Sequence, residues 1–286
     1  FRWFTSDRFC WLCDATQATV GDRHYADFRP EAGHRRSLIT HEAYFGACAA
    51  DGTQPSSMFK VPGLRLEHFA IDSMHAGDLG SFQDAIGSIF WLEISNKEWY
   101  RNKNEGLAQL NKDLQSYYSA NAGRKMSKLT PLVMGQIMTK DPGYPFLKSK
   151  AAESRHVAEF CLVLAQRHRH GDGQRAAYRF RPSSRLAISQ NEHLDTLVSM
   201  FEGLVSYHQT CGATPFVEQS CRAAMYKYLQ SLDRLNKLWR RDVPAEDRQK
   251  LPFHIRPKAH MLQHMVEDKL PLFGSPARFW CYRDED

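Results

Sequence analysis

The sequence predicts a mostly α protein, a helical bundle preceded by a loop-rich segment. Three observations carry this. From Leu66 onward apolar residues recur at intervals of three and four, the signature of helices that bury one face. Before Leu66 no period of two or of 3.6 is sustained, and Gly21, Gly33, Gly46, Gly52 and Gly63 are scattered between aromatics. The chain is 42% hydrophobic over 286 residues, enough for a sizeable core. The division falls near residue 65, giving a C-x-x-C-bearing segment 1–65 and a helical region 66–286. No internal repeat is present, so the helical region reads as one bundle.

A loop-rich segment needs a staple, and Cys10-Trp11-Leu12-Cys13 offers one. A C-x-x-C turn lets two thiolates reach one tetrahedral metal, with zinc the usual occupant. Two more ligands are required, and His24, His34, His41, Cys48 and His75 are candidates; the same spacing also suits two thiols that hold no metal. The cysteines number seven, an odd count, and only this pair is closely spaced. That argues for reduced thiols and against a disulfide framework.

In the stretch from Asp72, Leu79, Phe82, Ile86, Ile89, Phe90 and Leu92 predict a buried helix behind an acidic, glycine-bearing approach. Asp72 and His75 form a polar pair beside it, and Asp72 suits a helix cap equally well. Leu107, Leu110, Leu114 and Tyr117 or Tyr118 predict an amphipathic helix over 103–120 stopping at Gly123. Thr130-Pro131 reads as an N-cap with proline at the first helical position, starting a short helix through Met138. Residues 141–145, DPGYP, read as a turn. Val157, Phe160, Cys161 and Leu164 predict the next helix, closing in RHRHGDG.

Between Arg167 and Arg185 six arginines (Arg167, Arg169, Arg175, Arg179, Arg181, Arg185) face the single acid Asp172, with Tyr178 and Phe180 among them. Guanidinium forks suit phosphate, which makes this a candidate DNA-backbone loop; a solvated connector between two helices has the same composition. Two long helices follow, one through Leu194, Leu197, Val198, Phe201, Leu204 and Val205. The other runs through Val217, Cys221, Ala224, Tyr228, Leu232, Leu235 and Trp239, whose near-heptad steps predict an antiparallel hairpin bent at residues 212–215.

Near the C-terminal end His260 and His264 share a helix face. The metalloprotease pattern H-E-x-x-H fails here, because HMLQH lacks the glutamate that would be the general base. Asp284, Glu285 and Asp286 come directly behind Phe279, Trp280 and Tyr282; one carboxylate held by that apolar neighbourhood suits a metal site, and a charged surface turn is the alternative.

A net charge of +6 and a pI near 8.9 permit a polyanionic partner without demanding one. No apolar run reaches the ~18 residues of a membrane span, and FRWFTSDRFC is not a signal peptide. The expectation is a soluble intracellular protein with no membrane partner.

Taken in order, Cys10 and Cys13, Asp72 and His75 in D-x-M-H, His260, His264 and Glu267, Gly274 and Pro276, then Trp280, Tyr282 and Glu285 resemble the transposases of CACTA DNA transposons. The related KDZ group of cut-and-paste transposases and transposon-derived reading frames of protists share the pattern. The resemblance implies a DDE/D transposase, an RNase H-like core interrupted by a large helical insertion, with the core β-strands largely missing from this stretch. It implies metal-dependent phosphodiester cleavage and strand transfer by two Mg or Mn ions in the parent enzyme. Glu285 matches its last acid, with Asp284 the neighbouring alternative. Cys10 and Cys13 match its paired cysteines, with His75 as fellow zinc ligand, and Asp72, His260 and His264 serve as structural support. The implied partners are DNA, as transposon ends and target, and further copies of the chain, in the nucleus. The missing initiating Met and the lack of room for two strand aspartates ahead of Cys10 read as a transposon-derived fragment inactive alone. Two other readings stand beside this one: a non-catalytic, domesticated helical module that binds protein or DNA, and a zinc hydrolase built on His260 and His264.

Overall fold

The computed structural model describes residues 9–18, 21–138, 143–171, 190–242 and 251–282. In chain order the helices are α1 (His41–Ala50), α2 (Phe82–Ile94), α3 (Lys103–Ala120), α4 (Met134–Ile137), α5 (Ala151–His170), α6 (Gln190–Cys211), α7 (Glu218–Asp242), α8 (Pro257–His264) and α9 (Leu270–Phe273). Two π-helical stretches, Met74–Ser81 and Met265–Lys269, lead into α2 and out of α8. Among the described residues there is no strand, only the isolated bridges Thr16 to His24 and Met138 to Pro145. None of the described helices is long and apolar enough to cross a membrane.

Helix α2 lies at the centre. It is enclosed on every side although Gln83, Asp84, Ser88 and Glu93 interrupt its apolar residues, and every residue from Phe82 to Ile94 except Trp91 is buried. Helices α3, α4 and α5 and the π-turn Met74–Ser81 pack around it. The segment before α5 lies so close that a Cβ at Gly87 would come within 2.2 Å of the Phe146 backbone, and Leu147 N donates to Gln83 O at 2.8 Å.

The polar groups this burial traps are paired. Ser88 Oγ donates to Asp84 O at 2.6 Å and accepts from Phe253 N at 2.8 Å. Arg256 Nε reaches Asp84 at 2.7 Å. Glu93 accepts from the Tyr100 hydroxyl at 2.6 Å and pairs with Arg167 at 2.7 Å.

The predicted hairpin forms. Among the described residues, helices α6 and α7 share the most extensive helix–helix contact, with Leu204, Cys221, Tyr228, Leu232 and Leu235 all buried along the seam. Gly203 permits the approach: a Cβ there would sit 2.6 Å from Tyr228 N. Tyr228 then fixes the hairpin to the start of α2, its hydroxyl donating to Ser81 O at 2.9 Å.

Two expectations need correction. The short helix starts at Met134, not Thr130, because the Asn111 amide accepts from Leu132 N at 2.7 Å and donates to Leu132 O at 3.0 Å, holding that residue extended. The loop-rich segment also contains a helix, α1, which buries no residue and so leaves no apolar stripe to read. The DPGYP turn lies partly outside the described residues. The segment 9–65 shares the apolar core of the bundle: Phe9, Leu12 and Phe28 belong to the same buried cluster as Ala259, Leu262 and Met265.

Candidate metal centre

Helix α8 opens on Pro257, whose fixed φ suits a first helical position, and presents His260 and His264 one turn apart on its buried face. Against that face lies the Cys10–Cys13 turn. The sulfurs of both cysteines and one ring nitrogen of each histidine lie within 4.8 Å of one another, all four residues being buried. Cys13 Sγ is 3.2 Å from His260 Nε2 and 3.3 Å from His264 Nε2, and the two nitrogens are 3.1 Å apart. Ligands bound to zinc at ~2.0–2.3 Å in a tetrahedron stand about 3.3–3.8 Å from one another. The three distances among Cys13, His260 and His264 therefore need adjustments of only a few tenths of an ångström to take the ion, with Cys10 Sγ within 4.8 Å of all three.

The surroundings orient these donors. His260 Nδ1 donates to Tyr25 O at 3.1 Å and His264 Nδ1 to Asp268 Oδ2 at 2.6 Å, which leaves both Nε2 atoms facing the sulfurs. A carbonyl or carboxylate behind each ligand histidine is the usual support of a metal site. Leu12 N and Ala15 N each point at a sulfur, of Cys10 and Cys13 respectively, at 3.4 Å, so the turn stabilises thiolate charge.

Burial disfavours a charged thiol, yet contacts from Cys13, His260 and His264 hold Cys10 well below the ordinary thiol range. Cys13, beside that thiolate, is pushed up. Burial likewise opposes a charged His264, but Asp268 and Cys10 outweigh it and hold the imidazolium up to about 9. Two sulfurs and two imidazoles thus share protons that a divalent cation would displace.

His75 is not among these four residues. It stands at the start of the π-turn beside Asp72 and Cys281. His260 and His264, expected as supports or, in the rival reading, as the ligands of a hydrolytic zinc, are the histidines at the cysteine pair. His34 comes nearest of the other candidates, edge-on to His260 at 4.8 Å, but its Nε2 is taken by Gln263 at 3.2 Å; burial pushes it down to about 4. His41 Nδ1 accepts from Leu66 N at 3.2 Å. Four protein donors would fill a zinc tetrahedron and leave no vertex for a catalytic water, an arrangement that suits a structural ion better than the hydrolase reading on His260 and His264.

Asp72 caps the turn that follows it, accepting from Met74 N at 3.0 Å, and also holds Cys281 N at 3.2 Å. Glu267 is paired with Arg35 at 2.5 Å, and burial raises its carboxyl to about 7. Arg167 is no surface cation: its side chain is 10% exposed and pairs with Glu93 and Asp113. Arg169 pairs with Asp195. Arg175, Arg179, Arg181, Arg185, Asp284 and Glu285 lie outside the described residues.

Sequence reasoning missed the pairing of Cys10 and Cys13 with His260 and His264. The signal was available as a C-x-x-C and an H-x-x-x-H in one chain, but nothing local links motifs separated by most of its length. Comparison with protein-family models, with curated proteins and with solved structures finds no match to this chain.

Proposed function

We propose that Cys10, Cys13, His260 and His264 hold one structural zinc ion, and that the chain is the helical insertion region and C-terminal catalytic edge of a DDE/D-type DNA transposase. The observation that carries this reading is the convergence of paired cysteines and paired histidines, 247 residues apart, in one buried four-donor cluster. A zinc there ties the loop segment ahead of the helical region to α8 near that region's end, as an insertion must be tied if the acid beyond it is to meet a core that precedes it. A second contact supports the same reading. The bond from Cys281 N to Asp72 Oδ1 sets the D-x-M-H element against the aromatic segment that leads to Glu285, so elements of the resemblance that are remote in sequence are neighbours in space.

In this reading zinc builds the fold, while Glu285, with Asp284 beside it in sequence, belongs to a separate Mg or Mn site in the parent enzyme. The partners are transposon ends and target DNA, and the setting is nuclear.

Two measurements test it. Metal analysis of the purified chain should find zinc that Cys13→Ser and His264→Ala each remove; zinc unaffected by both substitutions overturns the structural site. A form extended by its upstream coding sequence should nick labelled transposon-end duplex with Mg or Mn and lose that activity in Glu285→Gln. Duplex binding without any cleavage would favour the domesticated, non-catalytic module.

A further inference from the structure

Beside the buried centre, the molecule brings together a second set of metal-binding side chains. Asp72 precedes and His75 lies in the π-turn that leads into α2, and Cys281 comes from the segment after the 3₁₀ turn Pro276–Arg278. One donor atom of each lies within 4.8 Å of the others. His75 Nδ1 faces Asp72 Oδ2, and Asp72 Oδ1 accepts from Cys281 N at 3.2 Å. The carboxylate therefore already bridges the two segments.

The site differs from the buried centre in kind. The His75 side chain is 52% exposed and that of Asp72 20%, whereas Cys10, Cys13, His260 and His264 are all at or near zero. Imidazole, thiolate and carboxylate together favour zinc over magnesium or calcium. Among the described residues there are three protein donors, with His75 half exposed, which suits the pattern in which a solvent molecule completes the tetrahedron. Burial opposes ionisation of Asp72, but His75 and the amides of Met74 and Cys281 hold its carboxyl below the ordinary range, so it is charged at neutral pH.

We propose that Asp72, His75 and Cys281 form a second, solvent-accessible zinc site that clasps the C-terminal aromatic segment onto the π-turn. Ion exchange there is faster than at the buried centre, because solvent reaches the open side. Loading the site fixes Cys281, and with it Trp280 and Tyr282, whose rings lie over the Arg155 guanidinium at 4.3 and 5.7 Å. The proposal uses only these three side chains and stands apart from the reading of the chain as a transposase.

The test is zinc-dependent protection of a thiol. Cys281 and Cys48 are both partly exposed, whereas the remaining cysteines are buried. Cys48 thus serves as an internal reference when the intact chain is alkylated with iodoacetamide and its peptides are quantified. Adding zinc to protein that retains its tightly bound metal should slow labelling of Cys281 at least tenfold and leave Cys48 unchanged. His75→Ala, at an exposed position, should abolish that protection, and Asp72→Asn, which keeps the hydrogen bond to Cys281 N, should weaken it. Equal labelling of Cys281 with and without zinc overturns the proposal, as does protection that persists in His75→Ala. Protection of Cys281 in a protein that carries no zinc at Cys10, Cys13, His260 and His264 would leave this site standing and remove the buried one.

Discussion

The α6–α7 hairpin and the loop segment 9–70 hold their shapes by different means. The hairpin is repetitive: one apolar seam, one close approach at Gly203, and side chains that find their partners a few turns away. The loop segment has short turns and one exposed helix, and it joins the bundle through a small apolar patch that includes Phe9, Leu12 and Phe28 and through a few single contacts. Tyr25 donates to Ile255 O at 2.7 Å, Lys269 Nζ reaches Glu67 O at 3.0 Å, and Cys10 and Cys13 meet α8. Burial distributed along a seam tolerates local damage. A segment with a small packed patch depends more heavily on its strongest single attachment.

Loss of the zinc proposed at Cys10, Cys13, His260 and His264 should therefore give the largest and most lopsided effect. Structural zinc contributes on the order of 10 kcal/mol to small domains that depend on it, and Cys13 sits fully buried in the cluster. Cys13→Ser, or prolonged chelation, should open the loop segment to trypsin at Arg23, Arg29, Arg35 and Arg36 while most helical circular dichroism persists. Uniform collapse of both regions would show that the zinc site and the seam are one cooperative unit.

The converse damage should spare the metal. Leu232 is wholly buried in the hairpin, and a buried Leu→Ala substitution costs ~2–5 kcal/mol through lost transfer free energy and the cavity left behind. Leu232→Ala should lower the denaturant midpoint of the whole protein while the zinc content stays that of the unaltered chain.

Glu93 offers a pH-dependent probe on the bundle side. Burial would raise its carboxyl, but His168, Arg167 and Tyr100 together hold it down at about 2, against an ordinary value near 4.5. A carboxyl held low when folded stabilises the fold fully at pH above its unfolded value. That contribution is lost as pH falls from about 4.5 towards 2, because the unfolded chain then binds a proton the folded one refuses. Glu93→Gln should cost up to about 3 kcal/mol at neutral pH, and the gap from the unaltered protein should close across that acid window. A gap that stays constant down to pH 2.5 would mean that packing, rather than charge, sets the role of Glu93.

How much of this could be read in the sequence follows the same division. The hairpin, α2, α3 and α5 were legible, because Leu110 and Leu114 or Tyr228 and Leu232 repeat at intervals the helix itself imposes. Half of the metal centre was legible too, because Cys10 and Cys13 satisfy one turn's geometry. The other half required knowing that α8 lies against that turn, which depends on Ala259, Leu262 and Met265 packing with Phe9 and Phe28. His75 was an attractive ligand on sequence alone, yet the π-turn carries it to Asp72 and Cys281. Arg167 looked like a surface cation among arginines, but it falls on the buried side of α5, where Glu93 and Asp113 claim it.

The smallest effect should come from α1, which is held by half-buried contacts of His41, Tyr44 and Phe45 with Phe59 rather than by core packing. It buries no residue, and its start rests on Thr40, whose hydroxyl accepts from Ala43 N at 3.1 Å. An N-cap threonine contributes ~0.5–2 kcal/mol to its own helix. Because nothing in α1 is buried, that loss should stay local. Thr40→Ala should speed amide exchange in residues 41–50 by about five- to tenfold, the rate equivalent of roughly 1 kcal/mol. The global denaturation midpoint and the zinc content should remain those of the parent. A global midpoint shift as large as that of Leu232→Ala would mean that α1, despite its exposure, is coupled through Arg65 and its partner Glu42, which sit 2.8 Å apart, to the part of the loop that the metal holds.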